Sequence, residues 1–479
     1  MRRGRPVIGY VLVLAALAAC SKDGGAGETS DAGPLLDASP DVGDQAPPAF
    51  TTAEWTALLS LSPVTLPPPP ADVTNAKADD PAAAALGQML FYTPLFAGPL
   101  LDGENDGKDG SLGTQGETGK VACASCHVGS TDFTDTRSPS HQISFASSWG
   151  RRRAPSLLDV GQTKLVMWDG RRDALFNQVF GPMESPVEMN SSRLYVAEQV
   201  FASFQAPYEQ VFGPMPPLGD TTRFPKIRAA DDGCHPVGAV PGENNSLTCD
   251  GTWVGYPGDH GPFDSMAAAD QEAVTRVVAN VGKAIGAFER LLTCGPSRFD
   301  QFMHGSSSAL SAKEQWGAQL FVSAGRCISC HTGPFLSDQK FHAVGLPPAS
   351  VAGGFIDVND QGASVGLAAI LADPLNSKGI YSDGYDGRLP ASVPSSATGA
   401  FRTPALRCVS RRPSFLHTAQ ATSLDAVVLF FNSGGEGFPV PGTNELSALG
   451  LSEEQEADLV AFLKALDGPG ADPKYQQAP

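Results

Sequence analysis

Two segments of the chain repeat one figure, CASCH at 123–127 and CISCH at 327–331. Each sets two thiols either side of a two-residue spacer and places a histidine directly after the second. Such a figure constrains the chain more than any hydrophobic periodicity, because it commits each segment to holding something. A zinc corner, a dithiol redox pair and a haem attachment point all fit the pentapeptide taken alone.

The rest of the chain separates these readings. Zinc in a structural site takes four ligands in closed tetrahedral geometry; the four cysteines together would make one all-thiolate site and leave both histidines spare. A thioredoxin-like dithiol sits beside a βαβ pattern, and neither copy has one. Haem attachment uses every residue of both copies. The two thiols add to the two vinyl groups of one porphyrin, and the histidine reaches the iron as proximal ligand. Two covalently bound haem c groups are therefore expected, on Cys123, Cys126 and His127 and on Cys327, Cys330 and His331.

The N-terminus points to export. MRRGR (1–5) is a cationic leader and VIGYVLVLAALAA (7–19) an apolar run too short to span a bilayer comfortably. LAAC (17–20) resembles the bacterial lipobox, which implies cleavage before Cys20, lipidation of its thiol and a membrane anchor. Ser21 stands where an aspartate would resemble the inner-membrane retention signal. The expected location is the periplasmic side of the envelope, at the outer membrane. Residues 20–50 carry Gly, Asp, Ala and Pro with little apolar content and read as a flexible tether. Four further cysteines, Cys234, Cys249, Cys294 and Cys408, suggest disulfides with three possible pairings. Cys234 with Cys249 would close a short loop, for roughly 3 kcal/mol in the chain-entropy model.

The length of 479 residues allows two or three domains. A net charge of −18 argues against nucleic-acid binding and favours a basic redox partner. Helical patterns appear at TTAEWTALLSL (51–61), at AAAALGQMLFY (82–92), and over 270–293, where Val274, Val277, Val281, Ile285, Phe288 and Leu292 recur every three or four residues before Gly295-Pro296. Ser311 and Glu314 form a capping-box pattern ahead of CISCH, and SEEQEADLVAFLKAL (452–466) is a last amphipathic helix. Asp102, Glu104 and Asp106 alternate as in calcium loops but lack a closing glutamate, so the loop reads as solvated. His235, His260 and His304 read as surface residues. The expected fold is mainly α, with two cytochrome c-like haem domains, long loops and few short strands. The expected boundaries are a signal peptide at 1–19, the tether at 20–50, an N-terminal domain at 51–213, an inserted loop region at 214–269, a C-terminal domain at 270–467 and a tail at 468–479.

The flanking segments carry a resemblance. LFYTPLFAG (90–98), CASCH, DFTD (132–135), RRAPSLLDV (152–160), MWDGRRDAL (167–175), FGPMESPVEM (180–189), LFVSAGRCISCHTGPFLSDQKFHAVG (320–345) and FRTPALR (401–407) occur in order. The chain resembles the bacterial dihaem cytochrome c peroxidase/MauG family over about 80–465, and HTGPFLSD and FFNSGG (430–435) lean toward its MauG-like branch. The resemblance implies that His127 serves a peroxidatic haem, with Gln178 and Glu188 on its distal side, and that Trp168 lies between the haems. It offers His141, 14 residues after His127, as a switchable ligand of the first iron. His331 would serve an electron-transfer haem. The family's sixth-ligand position, methionine or tyrosine elsewhere, is Phe431 here, which has no donor atom. No methionine follows Met303, the tyrosines after His331 are Tyr381, Tyr385 and Tyr475, and His342 and His417 are the remaining nitrogen donors. The family's interdomain calcium has its asparagine and threonine positions replaced by Arg153 and Arg411, whose side chains do not ligate cations. That leaves an ion-independent site or calcium elsewhere.

The implied activity is peroxide reduction at the N-terminal haem with electrons relayed through the C-terminal haem from a small cytochrome c or cupredoxin. Two alternatives stand beside it. One is a MauG-like oxidation of Tyr or Trp side chains in a partner protein. The other is a non-enzymatic dihaem electron carrier, which would need both irons closed by two strong ligands.

Overall fold

The computed structural model describes residues 46–137, 143–237, 249, 251–347, 350–351, 354–355, 359–435 and 440–479. The signal sequence, Cys20 and His141 lie outside the described residues.

Twelve helices and three two-stranded antiparallel ribbons form the described part of the chain. The helices are α1 (Thr52–Leu61), α2 (Pro81–Tyr92), α3 (Cys123–Cys126), α4 (Leu175–Gln178), α5 (Phe180–Glu184), α6 (Arg193–Phe212), α7 (Ala268–Glu289), α8 (Arg298–Met303), α9 (Ala312–Val322), α10 (Ala363–Ala372), α11 (Leu424–Ser433) and α12 (Glu453–Ala465). The ribbons pair β1 (Gly233–His235) with β2 (Thr252–Val254), β3 (Phe341–His342) with β6 (Phe401–Arg402), and β4 (Ser350–Val351) with β5 (Gly354–Phe355). The chain is therefore mainly α with few short strands, as its pattern predicts. No described helix is long and apolar enough to cross a membrane.

Local chemistry sets the helix ends. Thr51 and Glu54 close a reciprocal capping box on α1, as do Ser311 and Glu314 on α9 and Ser452 and Gln455 on α12. Asp80 caps α2 ahead of Pro81, whose missing N–H costs nothing in the first turn. α6 kinks at Phe204, three residues before Pro207.

Two large apolar cores result, and each borders one CxxCH turn. The first gathers α2, α4, α5, α6 and α7, with Cys123 and Cys126 at its edge. Its spine is α7, whose whole predicted stripe from Val274 to Leu292 is buried. α2 crosses α7 so closely that a Cβ on Gly87 would collide with the Ala284 backbone. The second core gathers α1, α8, α9, α11 and α12, with Cys327 at its edge.

These cores do not follow the boundaries read from the sequence. α1, from the 51–213 segment, buries Leu58 and Leu61 in the second core. α7, from the 270–467 segment, packs in the first. Residues 214–269 add Leu218, Phe224, Ile227, Phe263 and Met266 to the first core rather than standing apart. The tail also docks. Gln88 donates to the Lys474 and Gln477 carbonyls at 2.7 and 2.9 Å, and Tyr92 donates to the Tyr475 carbonyl at 2.8 Å. The physical reason is that a stripe of apolar side chains specifies burial but not its partner.

The four remaining cysteines pair as Cys234–Cys249 and Cys294–Cys408. Cys123, Cys126, Cys327 and Cys330 take part in no disulfide.

Candidate active site

The two CxxCH turns are built alike. In the first, α3 is a single turn, and His127 closes it by donating its N–H to the Cys123 carbonyl at 2.9 Å. Asp132 and Phe133 both take left-handed backbone (φ 56°), folding the chain back so that the Phe133 carbonyl lies 2.9 Å from His127 Nδ1. In the second, His331 donates its N–H to the Cys327 carbonyl at 2.9 Å, and its Nδ1 lies 2.7 Å from the Leu336 carbonyl. Leu336 is again left-handed (φ 50°). A carbonyl at Nδ1 settles the tautomer: Nδ1 carries the proton and Nε2 keeps its lone pair. Burial pushes both imidazoles down, His331 to about 4, so both are neutral and suited to bind a metal.

Cys123, Cys126 and His127 line a partly open cavity of about 160 Å³. Gln178, at the end of α4, and Glu188, in the turn after α5, line the same space, as does Trp168. The Glu188 backbone is pinned by Ser147, whose N–H donates to its carbonyl at 2.9 Å. Burial raises the Glu188 carboxyl above the usual range, and Arg171 opposes that rise. The structure thus brings Gln178, Glu188 and Trp168 to the cavity of the first CxxCH turn.

Glu289 is a cavity residue that the sequence reading missed. The last residue of α7, it is 3% exposed, and its Oε1 accepts the Gln178 amide N–H at 3.2 Å. Burial pushes it up to about 8, and its Oε2 has no hydrogen-bond partner. One signal was available: Glu289 lies four residues after Ile285, on the buried face of the helix.

Trp168 is buried, and its Nε1–H donates to the Arg153 carbonyl at 2.8 Å. Its own carbonyl accepts from the N–H of Arg402 in β6 at 2.8 Å. Its ring lies 6.2 Å from that of His417, which stacks on Phe401 at 3.6 Å. β6 pairs with β3, which follows CISCH. The indole therefore connects the cavity wall to the ribbon beside the second motif.

Arginines dominate the same wall. Burial and then Arg412 bring Arg153 down to about 9 and Arg402 down to about 10. Arg153 Nε and Nη2 and Arg412 Nε are buried without partners. Buried, under-paired guanidiniums call for carboxylates. Two thiols on one turn, a neutral histidine beside them and a cavity wall where Arg153 keeps two buried donors without partners fit a covalently held haem with propionate side chains.

The predicted alternatives around CISCH resolve differently. Phe431 lies in α11, half-buried and set edge-on to Phe430. His342 is held at both nitrogens, by Asp338 at 2.9 Å and Glu445 at 2.7 Å. His417 is buried against Phe401 and pushed down to about 3 by burial. Tyr381 and Tyr475 pack against the first core, and Tyr385 is exposed. Arg411 pairs with Asp132 at 3.2 Å and Arg153 donates to the Ser414 carbonyl, so both make protein contacts. In the 102–106 loop, Asp102 accepts from the Glu104 N–H and Asp106 pairs with Lys108. Among the described residues no cluster of three or more His, Cys, Asp or Glu side chains is disposed to hold a metal. His260 and His304 are exposed, but His235 is only half-buried, with its Nε2 enclosed.

Comparison with known proteins settles the family. The family model described as di-haem cytochrome c peroxidase matches residues 81–230. The cytochrome-c peroxidase IdrP2 of Denitromonas iodatirespirans is 30% identical over 397 residues, 82% of this chain and 84% of that protein. The chain belongs to the dihaem cytochrome c peroxidase family. It is a dihaem peroxidase-like oxidoreductase. The methylamine utilization protein MauG of Methylorubrum extorquens is 26% identical over 401 residues, covering 83% of this chain and 82% of that one. The crystal structure of the diheme peroxidase BthA from Burkholderia thailandensis shares the fold, with a TM-score of 0.55 at 21% identity over 81% of this chain and 87% of that one. Haem c cofactors follow from the family.

Proposed function

We propose that this dihaem peroxidase reduces hydrogen peroxide at the CASCH site, drawing electrons through the CISCH site. The observation that carries the reading is the convergence of Glu188, Gln178 and Trp168 on the cavity of Cys123, Cys126 and His127. Cys123 and Cys126 would hold one haem by thioethers with His127 Nε2 on its iron; Cys327, Cys330 and His331 would hold the other. Arg153 and Arg402 would pair with propionates. When bound, a haem here supplies an iron that receives peroxide and the redox capacity to cleave it.

The protein's own groups handle protons and orientation. Glu188 would take a proton from one peroxide oxygen and return it to the other, work that suits a carboxyl whose pKa is raised. Gln178 orients the peroxide through its amide. Trp168 passes an electron from the second site. The balance is one peroxide, two protons and two electrons to two waters. The acidic surface favours a basic cytochrome or cupredoxin as donor. Two disulfides fit an oxidising compartment, in keeping with export and anchoring through Cys20.

A second reading has the partner protein's Tyr or Trp supply the electrons. The extended similarity to MauG favours it. A small electron donor and a protein substrate differ in what they become, so product analysis separates them.

The deciding experiment is a peroxide titration of the mature protein, followed by optical and EPR spectroscopy with and without a reduced cytochrome. Two haems by mass, a prompt peroxide-dependent spectral change and donor oxidation are expected. Two low-spin, peroxide-inert haems would make the protein an electron carrier.

A further inference from the structure

The Glu289 carboxylate has no obvious structural duty. It is almost wholly buried at the end of α7, lines the peroxide cavity and has no cationic partner. Its neighbour Arg290 turns away to Asp79, at 2.8 Å. An unpaired buried carboxyl is costly, and packing alone would favour an apolar residue in its place. Its one hydrogen bond is to Gln178, on the facing helix α4. Glu289, Cys126 and Glu188 all act electrostatically on the Cys123 side chain at this corner of the cavity.

Gln178 has two faces that differ chemically. An amide free to rotate presents either its oxygen or its N–H₂ to the cavity, and an incoming peroxide meets an acceptor or a donor accordingly. Glu289 removes that freedom, because its Oε1 accepts from the N–H side.

We infer that Glu289 is a positioning residue for the peroxide pocket, acting through its hydrogen bond to fix the amide orientation of Gln178. The inference rests on the cavity being the peroxide site. Glu289 itself is not required to touch peroxide. Its acceptor oxygen and its reach matter, and its charge matters less.

Three substitutions separate these attributes. Glu289→Leu removes the acceptor at similar volume. Glu289→Asp keeps the carboxyl and loses the reach. Glu289→Gln keeps both reach and an acceptor oxygen. Two readouts apply to each holoprotein: the second-order rate of the peroxide-driven Soret change, and the affinity of the reduced-then-reoxidised protein for cyanide, a distal probe that needs no turnover. E289L and E289D should each slow the peroxide step roughly tenfold and shift the cyanide affinity, matching the loss of one hydrogen bond. E289Q should restore most of both. In the double variant E289L/Q178L the losses should not multiply, because the two residues act as one unit.

Parental behaviour of E289L or E289D in both readouts would overturn the inference, as would independent, multiplicative losses in the double variant. If E289L does not accumulate as holoprotein, E289D and E289Q carry the same comparison. If Q178L itself changes neither readout, the reading of the cavity falls and takes the inference with it. If Q178L is impaired and E289D is not, only the inference falls.

Discussion

The indole of Trp168 donates its Nε1–H to the backbone carbonyl of Arg153 at 2.8 Å. The bond ties the ring on the cavity wall to a loop whose next contact is the His417 carbonyl, reached by the Arg153 N–H at 2.9 Å. One short path therefore runs from the first site to the β6 side of the molecule. Trp168→Phe keeps a smaller aromatic ring and loses both the bond and the more oxidisable indole. Turnover with a reduced cytochrome should fall roughly tenfold or more, while haem content measured by the pyridine haemochrome stays at the parental value. An unchanged rate of intramolecular electron transfer in stopped flow would remove Trp168 from the path.

Glu188→Gln preserves shape and abolishes proton exchange. Peroxide turnover should drop by roughly 10²–10⁴, the usual contribution of a positioned acid–base group. Folding and haem attachment should be unaffected, as checked by intact mass and thermal melting. Activity within a few-fold of parental would assign the proton transfers elsewhere.

Arg153 carries unpaired buried donors at the place where the family's calcium is expected. Arg153→Met removes a positive charge beside the first site. The reduction potential of that haem should move downward, on the order of 60 mV for each 1.4 kcal/mol of differential stabilisation lost, as read by a redox titration. Chelation with EGTA should leave turnover unchanged, because Arg411 and Arg153 already bond to protein groups. Loss of turnover on chelation, restored by calcium, would place a cation at another site.

The Cys294–Cys408 bridge spans 114 residues and joins the end of α7 to the turn ahead of Arg411. In the chain-entropy model a loop of this length contributes about 4.7 kcal/mol. Replacing both cysteines with alanine should lower the denaturation midpoint accordingly. A change in stability below about 1 kcal/mol would mean that residual structure already restricts the unfolded chain.

Asp232 supplies a pH test away from the cavity. It is fully buried, accepts from Ser191 and Ser192 at 2.8 and 2.6 Å, and burial pushes it up to about 8. An unfolded aspartate releases its proton near 4, so from there to about 8 the folded chain holds a proton the unfolded chain has lost. Stability is therefore full below the lower value and declines as pH rises, by up to about 1.4 kcal/mol per pH unit. Asp232→Asn has no proton to lose. Its melting temperature relative to parent should climb between pH 5 and pH 8, and a constant difference would show that Asp232 is ionised throughout. Asp159 and Glu198, raised by burial to about 6 and 7, should leave a residual slope.

Much of this protein is legible in one dimension because its chemistry is local. CASCH and CISCH are turns of a few residues, the capping pairs Thr51–Glu54 and Ser311–Glu314 close within three residues, and the apolar stripe of α7 repeats along one helix. Gln178, Glu188 and Trp168 lie in short motifs of the same kind. Long-range choices left no such trace. The pairing of four cysteines, the crossing of α1 and α7 between the two cores, the contact of Glu289 with Gln178 and the gathering of Arg153, Arg402 and Arg412 each join residues far apart in the chain. Local sequence states what a residue needs, whether burial, a bond or a counter-charge. Which neighbour meets that need is decided only when all the elements compete for the same space.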